Sequence, residues 1–263
     1  MQLASVRLDV RDTGLAVVTL CQPERGNPID GTFVVDFKTV VLQLWETPGL
    51  RAVLLQAEGA NFSFGGDLKS FYPERERLAP VVRNWTSDLH MALQRFWQLP
   101  VPTIAATQGF VMGGAVALAA GCDFVVAART ARFGSAFTQI GFSCDSGSTI
   151  ALTTRMGAAR AKRFVMLSQV LDSEQALQSG LVDQVVDDAA LAQAAVEFAG
   201  KLAAGPTAAY GEVKRLFLRA SAIDLQGLLE DEALTLARVA QTRDAQEGVA
   251  AIVEKRKPVF HGR

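Results

Sequence analysis

The chain reads as an α/β fold, and three observations lead there. Short apolar runs rich in Val, Leu and Ala alternate with segments of helical spacing over roughly the first 145 residues. Two of those runs, about fifty residues apart, are each followed by Gly-Gly and then a helical segment. Beyond that the pattern is nearly all helical, so an α/β core is followed by an α-helical tail.

The elements follow in order. "SVRLDV" and "LAVVTL" are two strands around Asp12-Thr13-Gly14, a composition suited to a hairpin. "GTFVVDFKTVVLQLWE" has helical apolar spacing, and "RAVLLQAE" is a buried strand. "APVVRNWTSDLHMALQRFWQL" is a long helix with Val81, Val82, Trp85, Leu89, Ala92 and Phe96 on one face. "PTIAAT" and "DFVVAA" are buried strands on either side of a glycine-rich turn. In the tail, Gly205-Pro206 ends one helix and starts the next, by the preference for Gly just past a helix and Pro at its first position. Asp244, with Glu247 three residues on, predicts the N-cap of the last helix. No linker or fixed-length repeat is visible, so the tail's apolar faces must pack on the core or on a second subunit.

Composition narrows the function classes. Of 263 residues, 49% are apolar and 20% charged, as in globular proteins, and the net charge of −1 gives no general attraction to nucleic acid. The opening "MQLASVRLDVRD" carries charges every few residues and no apolar run, which does not read as a signal peptide. Three cysteines (Cys21, Cys122, Cys144) and two histidines (His90, His261) are too scattered for a disulfide framework or a zinc site, so no metal and a reducing cytoplasmic setting are expected. Residues 96–122 carry no charge and have the length of a membrane span, but Pro100, Pro102, Gln108 and four glycines break them into a strand, a loop and a helix.

Three stretches carry chemistry. In "ANFSFGGDLKSF", Gly65-Gly66 turns backbone N–H groups outward before a helix opened by Asp67; a tight turn with an Asp N-cap has the same pattern. In "TQGFVMGGAVALAAGCD", Gly113-Gly114 opens an Ala-rich helix whose first N–H groups are free for a ligand, although Gly-Gly there also suits close packing. If the preceding strands are neighbours, the two turns meet at one sheet edge, and two convergent N–H groups make an oxyanion hole. The third stretch, "FGSAFTQIGFSCDSGSTIALTTR", holds Asp145 as its single charge between Arg132 and Arg155. That carboxylate is either the N-cap of the helix that follows or a group kept for chemistry.

With these residues the chain resembles the enoyl-CoA hydratase/isomerase family, the crotonase superfamily, over nearly its whole length. "PERGNPI", "FSFGGDLK", "PVPTIAATQGFVMGGAVALAAGCDFVVAARTARFG", "ALQSGLVDQVV" and "EGVAAIVEKRKPVFHGR" match the family's elements in order and spacing. The resemblance implies a crotonase (ClpP-like) fold of repeated ββα units over residues 1–200, with a helical C-terminal region, 201–263, that drives assembly into a homotrimer or a dimer of trimers. It implies an acyl-CoA thioester as substrate, with coenzyme A entering as part of it and no other cofactor, nucleic acid or membrane as partner. By matching position, the oxyanion-hole N–H groups fall on Gly66 and Gly114. Phe64, Asp67 and Leu68 would lie along the adenine and pantetheine, and Arg25, Lys255 and Lys257 would face the phosphates.

The chain departs from the family's hydratases. Their two glutamates fall here on Ala117 and Phe137, neither of which transfers a proton. "AFTQIGFSCDSGS" instead resembles the branch in which ring-epoxide and enoyl-CoA isomerases carry one essential aspartate, matched by Asp145, with Cys144 in place of the usual proline. The expectation is an isomerase using Asp145 as general acid and base. The alternatives are a hydratase or lyase, a dehalogenase-like or hydrolytic enzyme pairing His90 with Asp145, or a non-catalytic acyl-CoA binder. Aryl-CoA dehalogenases have such a His–Asp pair, with a tryptophan where this chain has Phe137. His90, off the main apolar face of its helix, also suits a pocket wall or the surface. Phe64, Phe71, Phe137 and Phe142 predict an apolar pocket.

Overall fold

The computed structural model describes residues 1–220 and 224–262. The first hairpin forms as expected: β1 (Val6–Val10) and β2 (Leu15–Leu20) pair antiparallel, from Val6 opposite Leu20 to Val10 opposite Ala16. Helix α1 (Gly31–Glu46) follows, N-capped by the Asp30 carboxylate, which accepts the N–H of Phe33 at 2.9 Å. Then come β3 (Ala52–Ala57), α2 (Leu68–Phe71), α3 (Leu78–Trp97), β4 (Thr103–Thr107), β5 (Phe110–Met112), α4 (Gly114–Ala120), β6 (Phe124–Ala128) and β7 (Arg132–Gly134). The rest is α5 (Ser148–Met156), α6 (Ala158–Met166), β8 (Val170–Asp172), α7 (Ser173–Ser179), β9 (Gln184–Val186), α8 (Leu191–Ala203), α9 (Thr207–Arg219), α10 (Leu225–Val239) and α11 (Arg243–Val253).

The strands build two sheets. The larger has the order β1-β2-β3-β4-β6-β9, parallel except for β1 with β2, and the smaller has the order β5-β7-β8. The chain visits both sheets before each helix in β4–β5–α4 and β6–β7–α5, which is the ββα repeat. An isolated bridge from Ser63 to Val111 carries the first visit after β3.

Helices cover both faces of the large sheet, so its central strands are mostly buried and largely apolar on both sides. Along β3, Val53 and Leu55 join the main core with α1, α3 and α4, whereas Ala52 and Leu54 face α8. Helix α8 presents Ala195, Ala199 and Ala203 to the sheet; spacing of four puts these small side chains on one stripe and lets helix and sheet approach closely. Helices α1 and α3 pack through Phe37 and Phe96, whose rings meet edge to face at 5.3 Å. The stripe predicted on α3 divides its work: Leu89, Ala92 and Phe96 enter the core, while Val82 and Trp85 are half-buried and line a cavity.

Four differences from the sequence reading have physical causes. Strands β5, β7, β8 and β9 have three residues each, too few to show a period of two, and they exist through long-range pairing such as Arg132 with Asp172 and Val126 with Gln184. The tail beyond residue 145 is thus not purely helical. The last helix is capped by Thr242, whose hydroxyl accepts the N–H of Ala245 at 3.1 Å; Asp244 is buried and holds the returning C-terminal segment, accepting the N–H groups of His261 and Gly262 at 2.7 Å each. Pro206 sits at the cap of α9 rather than inside it, and the missing side chain of Gly205 makes room for the Tyr210 ring.

The tail is tied to the core by buried polar contacts. Lys214 on α9 pairs with Asp123 at 2.8 Å, and Arg51, beside β3, donates to the carbonyls of Ala203 and Gly205. Yet Val213, Phe217, Leu225, Leu236, Ile252 and Val253 on α9–α11 are exposed. The uncharged residues 96–122 divide into the end of α3, β4, β5 and α4, and among the described residues no helix is long and apolar enough to cross a membrane.

Candidate active site

The two Gly-Gly turns meet because β3 and β4 are adjacent parallel strands, with Leu54 opposite Ile104. Gly65 has a left-handed backbone (φ +80°), and a Cβ on it would lie 2.5 Å from the carbonyl oxygen of Met112, so only glycine lets the turns close on each other. The surrounding N–H groups are spent. Met112 donates to Ser63 O at 3.0 Å, Gly113 to Gly134 O at 2.8 Å, and Ile29 to Gly65 O at 2.8 Å. Gly66 and Gly114 are different. Both line the same cavity, and among the described residues neither N–H donates to a protein acceptor. Gly114 is the first residue of α4 and has no intrahelical partner for its N–H. Two such donors on one cavity suit an oxygen that gains negative charge.

The cavity, about 510 Å³, has mostly apolar walls, with Phe71 from α2, Val82, Trp85 and Leu89 from α3, and Phe137 and Phe142 from the segment after β7. The rings of Phe71 and Trp85 lie 4.8 Å apart. Asp145 is the one titratable side chain lining it among the described residues.

Asp145 sits in a loop, and its carboxylate is not a helix cap. The residue before α5 is Gly147, which has no side chain to offer, and the main-chain oxygen of Asp145, not its carboxylate, accepts the Ser148 N–H at 2.8 Å and hydroxyl at 2.6 Å. The carboxylate Oδ1 accepts the Ser146 hydroxyl at 3.0 Å. The cap reading of this aspartate is therefore corrected: consecutive left-handed residues, Ser146 (φ 54°) and Gly147 (φ 71°), hand the cap position to glycine.

The other residues singled out in the sequence are spread more widely. Phe64 and Leu68 line the cavity and are half-exposed, with the Phe64 ring 5.6 Å from that of Phe110. Asp67 caps α2 by accepting the Lys69 N–H at 3.0 Å. It also pairs with Arg25 at 3.0 Å, and Arg25 pairs in turn with Asp30 at 2.8 Å, so this guanidinium clips the "PERGN" loop to the first glycine turn. His90 is exposed on α3 and does not line the cavity; its Nε2 accepts the Ser146 N–H at 3.2 Å. Lys255 and Lys257 are exposed beyond α11 and do not line it either. Ala117 is fully buried in α4 and away from the cavity lining, whereas Phe137 is part of the wall. Burial pushes the Cys122 thiol up to about 12, which keeps it protonated and unreactive.

Three supporting residues escaped the sequence reading. Ser146 joins Asp145 to α3. Trp97 packs its indole where side chains on Gly121 and Gly147 would lie. Arg155 takes the C-terminal end of α4, donating to Ala120 O at 3.0 Å, Cys122 O at 2.8 Å and Asp123 O at 2.9 Å, and pairs with Asp183 at 2.7 Å. Only Arg155 had a visible signal, as a charge closing an otherwise apolar segment.

Known proteins share this arrangement of elements. Residues 11–263 match the sequence profile described as enoyl-CoA hydratase/isomerase. The chain is 34% identical to a 1,2-epoxyphenylacetyl-CoA isomerase of Escherichia coli (strain K12) over 262 residues, covering 96% of this chain and 97% of that one. It is 30% identical to a trans-2-decenoyl-(acyl-carrier-protein) isomerase of Streptococcus mutans over 257 residues, covering 96% of each. A crystal structure of an enoyl-CoA hydratase from Mycobacterium smegmatis superposes with a TM-score of 0.91 at 29% identity, covering 98% of this chain and 99% of that one. The crotonase fold that the family resemblance implied is therefore the fold observed, and the chain belongs to the enoyl-CoA hydratase/isomerase family.

Proposed function

We propose that this member of an acyl-CoA hydratase/isomerase family is an isomerase that moves a proton between carbons of an acyl-CoA thioester, with Asp145 as its acid and base. The observation that carries the reading is that Asp145 is the one titratable group on a cavity that also presents the Gly66 and Gly114 N–H groups. The thioester oxygen accepts both N–H groups. That stabilises an enolate and acidifies the α-carbon. Asp145 takes the α-proton, and the electron pair spreads over the dienolate. The resulting carboxylic acid returns the proton at the γ-carbon, so a β,γ-double bond becomes α,β and no atom is gained or lost. Base and acid are one group and no electrons are transferred, so the chemistry calls for nothing beyond the coenzyme A of the substrate.

Phe64 and Leu68, half-exposed at the cavity, suit the adenine and pantetheine. Lys255 and Lys257 are proposed as the cations for the phosphates, and Arg25 joins them only by exchanging Asp30 or Asp67 for phosphate. The exposed apolar side chains of α9–α11 support assembly into a homotrimer or a dimer of trimers. The engagement of His90 with a backbone N–H, away from the cavity wall, favours the single-carboxylate mechanism over a His–Asp pair.

The test is Asp145→Asn with β,γ-hexenoyl-CoA, followed by the absorbance that appears on conjugation. Turnover should fall by roughly 10²–10⁴-fold. Acyl-CoA affinity should hold, because Asn still offers Ser146 an acceptor and the oxyanion donors belong to the backbone. Turnover near the wild-type rate in a folded Asp145→Asn protein would end this reading.

A further inference from the structure

We infer that Ser146 is the positioning residue for the proton carrier: its hydroxyl holds Oδ1 of Asp145 and leaves Oδ2 to move the proton. The inference rests on the isomerase reading above and deepens it. Ser146 is 2% exposed and makes two directed contacts, donating its hydroxyl to Asp145 Oδ1 at 3.0 Å and its N–H to His90 Nε2 at 3.2 Å. It also reaches the oxyanion turn, since its Oγ lies 2.8 Å from where a Cβ on Gly114 would be. One residue thus touches the acid–base group, the helix behind it and the turn that offers the second oxyanion donor.

The division of labour within the carboxylate follows from its partners. Oδ1 has the Ser146 donor, whereas among the described residues Oδ2 accepts no hydrogen bond. A carboxylate held at one oxygen keeps its plane fixed and its second oxygen basic. For His90 to accept an N–H at Nε2, its ring proton must be on Nδ1, so the imidazole anchors the loop in its neutral form. The left-handed backbone at Ser146 (φ 54°) is unfavourable for an L-residue, and these contacts hold it there.

The experiment compares kcat and KM of Ser146→Ala, Ser146→Gly and Asp145→Asn with β,γ-hexenoyl-CoA. Ser146→Gly guards against misfolding, since it removes the hydroxyl and relieves the left-handed strain. Both serine variants should lose about tenfold in kcat, the kinetic equivalent of a hydrogen bond to a charged acceptor, with KM within about threefold of wild type. Ser146→Cys, a weaker donor, should fall between. An inactive Asp145→Asn beside serine variants with wild-type kcat would overturn this inference alone. A loss in Ser146→Ala that Ser146→Gly does not share would also overturn it, by assigning the effect to the methyl group. An active Asp145→Asn would overturn the isomerase reading, and this inference with it.

Discussion

The indole of Trp97 occupies the space that a side chain on Gly147 would need. Gly147 also has a left-handed backbone, φ 71°, and follows the Asp145–Ser146 pair directly, so the end of α3 sets where the Asp145 loop lies. Gly147→Ala should therefore cost about 1–2 kcal/mol for its backbone and about 1–3 kcal/mol more for overlap with the ring. Gly141→Ala is the control, because Gly141 has a similar φ of 74° with nothing within 4 Å of a Cβ, so only the backbone cost applies. Chemical denaturation reads the difference, and equal losses would remove the role given to Trp97.

Crotonyl-CoA should be hydrated slowly by the wild-type protein. Ala117 is buried away from the cavity and Phe137 lines it, so no second carboxylate is available to grip water. Product analysis should show conjugation of β,γ-hexenoyl-CoA outpacing hydration of crotonyl-CoA by at least about 10²-fold, the usual worth of a positioned acid–base group. Comparable rates would mean that another group activates water.

Thr242 and Asp244 should fail in different ways. Thr242→Ala removes a cap and should cost about 1 kcal/mol of global stability. Asp244→Ala strips the partners of the His261 and Gly262 N–H groups and should release the C-terminal segment. Hydrogen exchange at those two amides should then speed up strongly in Asp244→Ala and little in Thr242→Ala. Similar protection in both variants would contradict the separation of cap from anchor.

Phe217 is 79% exposed on α9, among the apolar side chains proposed to meet a second copy. Phe217→Asp should shift the protein toward monomer in light scattering at micromolar concentration and leave the monomer fold intact by circular dichroism, since the side chain packs on little within its own chain. A wild-type protein that is itself monomeric would refute the assembly.

Periodicity and glycine chemistry in the sequence by themselves determined β1 to β4, β6, α1, α3, α4 and the two glycine turns. Each has a local signal: the apolar run in Ala52–Ala57, helical spacing in Gly31–Glu46, and the Gly-Gly pairs themselves, although the carbonyl that leaves no room for a side chain on Gly65 belongs to the distant Met112. Asp145 was conspicuous as a lone charge, but its neighbourhood allowed a cap and a catalytic group equally, because aspartate before a helix is a good cap wherever it occurs. Tertiary structure removed the cap reading. The left-handed pair Ser146–Gly147 gave the cap to glycine, and His90, fifty-six residues away, holds the loop by a contact that no local pattern announces. The same reason separates Asp244 from the cap role that its spacing suggested, since the chain end that it binds arrives only after α11 has formed its last turn. Short strands such as Val170–Asp172 belong to this class as well, because their hydrogen bonds are with partners distant in sequence and three residues carry no period of their own.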